Sequence, residues 1–163
     1  MLLRVATADD WAGIWPFFHQ IAAAGETYAY HPDMSYDQGE QLWMRGSVFV
    51  AEDDGVIVGS GRVAPNYGPA SIVANASYMV DPGRAGQGIG RRLVEHSLEL
   101  ARAAGFQAMV FNAVVETNVN AVHLYESMGF RIIGTIPAAF PHPTQGLVGL
   151  HIMHRPLQPV PMS

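Results

Sequence analysis

Three glycines at alternate positions, Gly86, Gly88 and Gly90, stand between a strand-like run ending at Val80 and an amphipathic stretch beginning at Ile89. A strand, a glycine loop and a helix in that order bring pliable backbone against a helix N-terminus. The first N–H groups of a helix lack intrahelical partners and sit at its positive dipole end, so such a junction suits a phosphate. Arg84, Arg91 and Arg92 lie in or beside the loop, three of the nine basic residues of the chain. All nine are arginines, so a P-loop with its lysine is excluded. A dinucleotide fingerprint fits poorly. The spacing is G-x-G-x-G, and the next acidic residue after the helix is Glu116.

The remaining pattern predicts one layered α/β (α+β) domain over residues 1–155 with a tail over 156–163. Leu2–Ala6 reads as a strand. Thr7 or Asp9 caps a helix carrying Trp11, Ile14, Phe17, Phe18 and Ile21 at helical spacing. Ser35 caps a second helix through Trp43. Asp53-Asp54-Gly55 marks a hairpin between Val48–Glu52 and Val56–Val63. Ser71–Val80 is the next strand. In the helix Ile89–Ala104, Ile89, Leu93, Leu100 and Ala104 form an apolar stripe, with Val94, Leu98 and Ala101 beside it. Gln107–Val115 is a nearly continuous apolar run, as in a buried central strand. Asn118–Met128 is a helix stopped by Gly129. Two strands, Arg131–Ile136 and Leu147–Arg155, flank a proline-rich loop over Pro137–Gly146.

Composition removes several chemistries. The chain of 163 residues has no cysteine, so thiolate metal sites and a cysteine nucleophile are impossible. Its net charge of −5 comes without any basic tract, which argues against nucleic acid as a partner. No apolar run is long enough to span a bilayer, and no leader pattern opens the chain. A cytoplasmic protein away from membranes is the expectation. His151 and His154 fall on opposite faces of a strand, and no metal site is expected. An exposed final strand together with the apolar composition would allow a homodimer.

A second motif follows the glycine loop: Asn118-x-Asn120-Ala121-x-x-Leu124-Tyr125-Glu126-x-x-Gly129-Phe130. With Val80-x-Pro82 and the glycines before it, this resembles the GNAT superfamily of acetyl-CoA-dependent N-acetyltransferases. The resemblance implies a central mixed, mostly antiparallel sheet of about seven strands flanked by about four helices. It implies acetyl-CoA as co-substrate, with pyrophosphate on Gly86, Gln87, Gly88, Ile89 and Gly90 beside Arg84 and Arg91. The pantetheine arm is expected to pair with Tyr78, Met79 and Val80, where a backbone N–H polarises the thioester carbonyl. Asn118 matches a coenzyme-contacting asparagine, and Tyr125 the tyrosine that protonates the departing thiolate. The pattern departs in two places. Ala85 stands where the family has Arg or Gln, and Ala113 where relatives that acetylate ribosomal-protein N-termini carry a glutamate base.

Scattered further matches resemble the fungal L-azetidine-2-carboxylate N-acetyltransferases. They include Gly25-Glu-Thr27-Tyr28, Pro65-Asn66-Tyr67, Asn75-Ala76, Phe111-Asn112 and Ile133-Gly134-x-Ile136-Pro137. That likeness implies Asn75 and Asn112 as substrate-binding amides. Tyr28 joins them, with Phe18, Thr27, Tyr30, Tyr67 and the Phe140–Pro143 segment as aromatic walls for a small amine. Without cysteine, an acetyl-thioester enzyme intermediate is impossible, and direct attack by a neutral amine on bound acetyl-CoA is the simplest route. Glu116, His123 and ordered water are the alternatives for proton acceptor. Two other functions compete: a non-catalytic acyl-CoA-binding module, and an acetyltransferase of protein or peptide amines.

Overall fold

The computed structural model describes residues 1–159. Seven strands form one sheet: β1 (Leu2–Val5), β2 (Ser47–Asp53), β3 (Val56–Pro65), β4 (Val73–Val80), β5 (Ala108–Val115), β6 (Arg131–His142) and β7 (Gly146–Pro156). Their spatial order is β1-β2-β3-β4-β5-β7-β6. Every neighbouring pair is antiparallel except β4 and β5. Four helices cover the sheet: α1 (Trp11–Ala24), α2 (Tyr36–Trp43), α3 (Ile89–Ala103) and α4 (Val119–Ser127).

Local chemistry accounts for most of these boundaries. Before α1 the Asp10 carboxylate accepts from the Thr7 N–H at 2.7 Å and from the Arg4 guanidinium at 2.8 and 2.9 Å. Ser35 and Gln38 make a reciprocal capping box at the start of α2. Asp54 and Gly55 both have positive φ, the two-residue turn that matches strand twist. Gly105 and Gly129 end α3 and α4 in the left-handed conformation. There Phe106 donates to the Ala101 carbonyl and Phe130 to that of Tyr125.

Each face of the sheet has its own core. Trp11, Ile14, Phe18, Trp43, Val50 and Met79 pack under α1 and α2. Phe49, Leu93, Leu98, Met109, Phe111 and Met153 pack under α3 and α4. The buried face of α3 centres on Leu93, Val94, Leu98 and Ala101. Leu100 lies at its flank, and Ala104, expected in the stripe, is exposed beyond the helix end. Ser97 is fully buried on that apolar face. Its hydroxyl lies 2.7 Å from the Val94 carbonyl and 2.6 Å from the Tyr78 phenol, so the polar atom is satisfied.

Three expectations for the C-terminal part are corrected. The stretch expected as a proline-rich loop continues β6 as far as His142, bent by register shifts after Ile132 and Ile136. Pro137 sits in the second shift, where no ladder N–H is required. The final strand is interior, inserted between β5 and β6, so β1 and β6 are the edges and the homodimer expectation keeps only its compositional argument. The tail does not begin at Pro156. Leu157 is buried and its N–H donates to the Gln107 carbonyl at 2.9 Å, while positions 160–163 lie outside the described residues.

Candidate active site

β4 and β5 run parallel only over Val73–Asn75 against Ala108–Val110, and then diverge. Two features open the gap. The Asn75 side-chain amide donates to the Val110 carbonyl at 2.9 Å, where the next rung of main-chain pairing would begin. A bulge between Phe111 and Val114 then bends β5. Beyond the seam lies a cleft of about 750 Å³. Its walls include Asn75 to Val80 from β4, most of the loop between Asp81 and Gly90 (without Gly83 and Gln87), Phe111 to Val115 from β5, Asn118 and Tyr125.

The glycine loop enters from one side. Gly86 and Gly88 have φ of 77° and 76°, and a Cβ added at either would meet nothing within 4 Å. Glycine is needed there for the left-handed backbone and not for packing. Gly90 is helical, and its added Cβ would make ordinary contacts with Leu124 and Val80. The first intrahelical bond of α3 runs from the Arg92 N–H to the Gly88 carbonyl. The N–H groups of Ile89, Gly90 and Arg91 precede it, as an anion-binding helix start requires.

The side chains expected beside the loop divide. Arg84 lines the cleft, with its guanidinium held by the Asp53 carboxylate at 3.0 Å. Arg91 turns away and donates to the Ser127 hydroxyl at 2.8 Å. Neither Arg91 nor Gln87 is among the cleft-lining residues. Ile89 lines the cleft, but its side chain is buried in the core. The Asn118 backbone caps α4 without a side-chain cap bond, and the residue lines the cleft.

Along β4, alternation decides which main-chain groups are available. Ser77 and Met79 direct theirs toward β3, whereas Tyr78 and Val80 direct theirs into the gap. Met79 is therefore a core side chain whose backbone is committed to β3, contrary to the expectation of strand-like pairing there. The Tyr78 groups are already engaged. The Tyr28 hydroxyl donates to the Tyr78 carbonyl at 2.6 Å and accepts from the Tyr78 N–H at 3.1 Å. Nothing in the sequence signals this bond, since it joins residues fifty positions apart. The Tyr28 ring stacks on Tyr30, which stacks on Phe18.

Tyr125 projects from α4 against Phe111, with ring centroids 4.5 Å apart, and faces Tyr78 at 6.2 Å. Burial pushes the phenols of Tyr28, Tyr30, Tyr78 and Tyr125 above their ordinary pKa, so all four are proton donors at neutral pH. On the bulge, Asn112 lines the cleft and pairs its amide with that of Asn66.

Other expected groups fall elsewhere. Phe18 is fully buried in the core, and Tyr67 is 74% exposed, so neither walls the cleft. Of the Phe140–Pro143 segment only Phe140 lines it. Glu116 accepts from the Gly149 N–H at 2.7 Å, and a Cβ on Gly149 would meet that carboxylate at 2.9 Å. Glu116 thus ties β5 to β7, and neither it nor His123 lines the cleft. The ionisable lining groups other than phenols are Asp81 and Arg84, both at the loop end. Among the described residues no group of three His, Asp or Glu side chains can hold a metal, and no helix is long and apolar enough to cross a membrane.

Comparison with known proteins agrees with this architecture. A GCN5-related N-acetyltransferase from Kribbella flavida superposes with a TM-score of 0.91 at 49% identity, covering 95% of this chain and 96% of that one. The L-methionine sulfoximine/L-methionine sulfone acetyltransferase of Salmonella typhimurium is 26% identical over 146 residues, 84% of each protein. N-acetyltransferase aca1 of Schizosaccharomyces pombe is 36% identical over 84 residues, which span 51% of this chain and 40% of that protein's length. The acetyltransferase (GNAT) family model matches residues 15–130. That match takes in the glycine loop, the β4–β5 gap and Tyr125, and the chain belongs to the acetyltransferase (GNAT) family.

Proposed function

We propose that the chain is an acetyl-CoA-dependent N-acetyltransferase that passes the acetyl group directly to a small amine or amino-acid analogue. The observation that carries this reading is the gap between β4 and β5. It joins a helix-start phosphate cradle at one end to a phenol- and amide-lined pocket at the other. An extended pantetheine arm fits such a gap, because Val80 presents its N–H and C=O there with no β5 partner.

Each residue then has a task. The N–H groups of Gly88 to Arg91 hold the pyrophosphate, and Arg84 stands beside them as a partly neutralised cation. Asn118 hydrogen-bonds the coenzyme arm. The backbone N–H of Tyr78 receives the thioester oxygen, which gains negative charge as the amine attacks. A C–N bond forms, the C–S bond breaks, and Tyr125 gives its proton to the leaving thiolate. Its raised pKa keeps it protonated for that role. No carboxylate or imidazole lines the acceptor end, so the amine attacks in its neutral form, its second proton leaves through water, and water returns a proton to the Tyr125 phenolate. Asn75 and Asn112 offer uncharged amide contacts to the acceptor.

The absence of charge at that end favours a small acceptor over a basic peptide. The Salmonella relative acts, by its name, on amino-acid analogues, and an Escherichia coli relative of like coverage is an L-amino acid N-acyltransferase. Thiol release from acetyl-CoA, measured with azetidine-2-carboxylate, other amino-acid analogues, polyamines and peptides, tests the reading. Turnover with amino-acid analogues is expected. Turnover with peptides alone would move the substrate to protein amines, and tight CoA binding without turnover would make the chain a binding module.

A further inference from the structure

The Tyr28 phenol occupies a place that catalysis needs. A thioester carbonyl docked on the Tyr78 N–H must bring its oxygen about 3 Å from that nitrogen. The Tyr28 oxygen already lies there, at 3.1 Å. One N–H carries one hydrogen, so the two acceptors compete for it. The same phenol gives its own proton to the Tyr78 carbonyl, so a single side chain seals both free groups of that residue.

The seal belongs to a segment outside the helices and strands. Tyr28 lies between the end of α1 at Ala24 and the start of α2 at Tyr36, outside any helix or strand. Its ring is held by stacking on Tyr30, with centroids 5.0 Å apart, and by an edge contact with Trp43. Thr27, Tyr28 and Tyr30 also wall the acceptor end of the cleft. Once displaced, the phenol still faces the cleft that Asn75 and Tyr30 also line, and a buried hydroxyl without a partner is costly. An acceptor amine or carboxylate supplies that partner.

We propose that Tyr28 couples the two halves of the reaction. The thioester oxygen displaces its hydroxyl from Tyr78, and the freed hydroxyl then positions the acceptor. This rests on the acetyltransferase reading above. It makes Tyr28 a positioning residue with a specific signature. Free CoA ends in a thiol and has no thioester carbonyl, so it leaves the seal in place, while acetyl-CoA must break it. The site thereby takes the acyl donor before the acceptor.

The test compares dissociation constants of CoA and acetyl-CoA for the wild type and Tyr28→Phe. Removing the hydroxyl should tighten acetyl-CoA about three- to tenfold, the worth of roughly one hydrogen bond, and leave CoA within about twofold. The acceptor KM should rise. Equal changes for both ligands, or none, would overturn the coupling, since a purely structural role moves both alike. Hydrogen exchange on the unmodified protein gives a second readout that needs no variant. Amides of residues 26–31 should exchange faster with acetyl-CoA bound than with CoA bound, and identical exchange would overturn it too. If the wild type binds neither ligand, the acetyltransferase reading itself falls.

Discussion

The side-chain amides of Asn66 and Asn112 face each other and exchange two hydrogen bonds, of 3.1 and 2.6 Å. They join the residue after β3 to the bulge of β5, an exposed pair at the edge of the cleft that Asn112 lines. Asn112 is thus both a lining residue and half of a strut. Asn112→Ala should raise the acceptor KM about fivefold, the effect of one neutral hydrogen bond, with CoA affinity unchanged. Asn66→Ala should do nearly the same, and the double variant no more than either. Additive losses in this cycle would show that the two amides act separately.

Tyr125→Phe keeps the ring against Phe111 and removes only the proton. Turnover should fall by about 100-fold or more, with CoA affinity within about twofold of wild type. Because burial raises this phenol, the wild-type rate should show no loss attributable to it below about pH 10. An unaltered rate in the variant would assign thiolate protonation to water.

Gly88→Val should abolish CoA binding through the backbone alone. Its φ of 76° costs a β-branched residue, although its Cβ would strike nothing. Gly88→Asn, which tolerates that conformation, should retain binding. Isothermal titration of both variants separates a conformational requirement from a steric one.

Asp10 carries a pH dependence of fold stability. The Arg4 guanidinium beside it, aided by the Thr7 N–H, holds its carboxyl down at about 2 against the resistance of burial. A depressed carboxyl stabilises the fold fully above its unfolded value near 3.8, and that contribution is lost as pH falls toward 2. The melting temperature should drop across this window, and Asp10→Asn should remove the drop attributable to this group while lowering stability at neutral pH.

What could be read from the chain was what depends on neighbours in sequence. The capping residues Ser35 and Gln38, the Asp54-Gly55 turn, the stops at Gly105 and Gly129, and the glycine loop all act within a few positions. Asn75, Asn112, Asn118 and Tyr125, named through the family resemblance, all line the cleft, Asn112 from the β5 bulge and Asn118 from the cap of α4. Legibility failed where distant segments decide. The proline content around Pro137 read as loop, yet edge position and a bulge let β6 continue through it. The interior place of β7 depends on pairing with β5, which no local signal encodes. Arg91 looked like a phosphate ligand by proximity, but Ser127 on another helix takes its guanidinium. Tyr28 read as an acceptor wall, while its grip on Tyr78 awaited the packing of a loop onto a strand.

The seam between β4 and β5 has a mechanical meaning. Strands β1 to β4 form one plate and β5 to β7 another, stitched by three residue pairs where the other junctions have four to eight. The plates share that short hinge and stand apart beyond it. Whatever slides between them adds the rungs the sheet lacks and splints the two plates together. Occupancy should therefore register across the whole molecule: with coenzyme bound, the halves should melt as one body at a higher temperature, by mass action on the closed sheet.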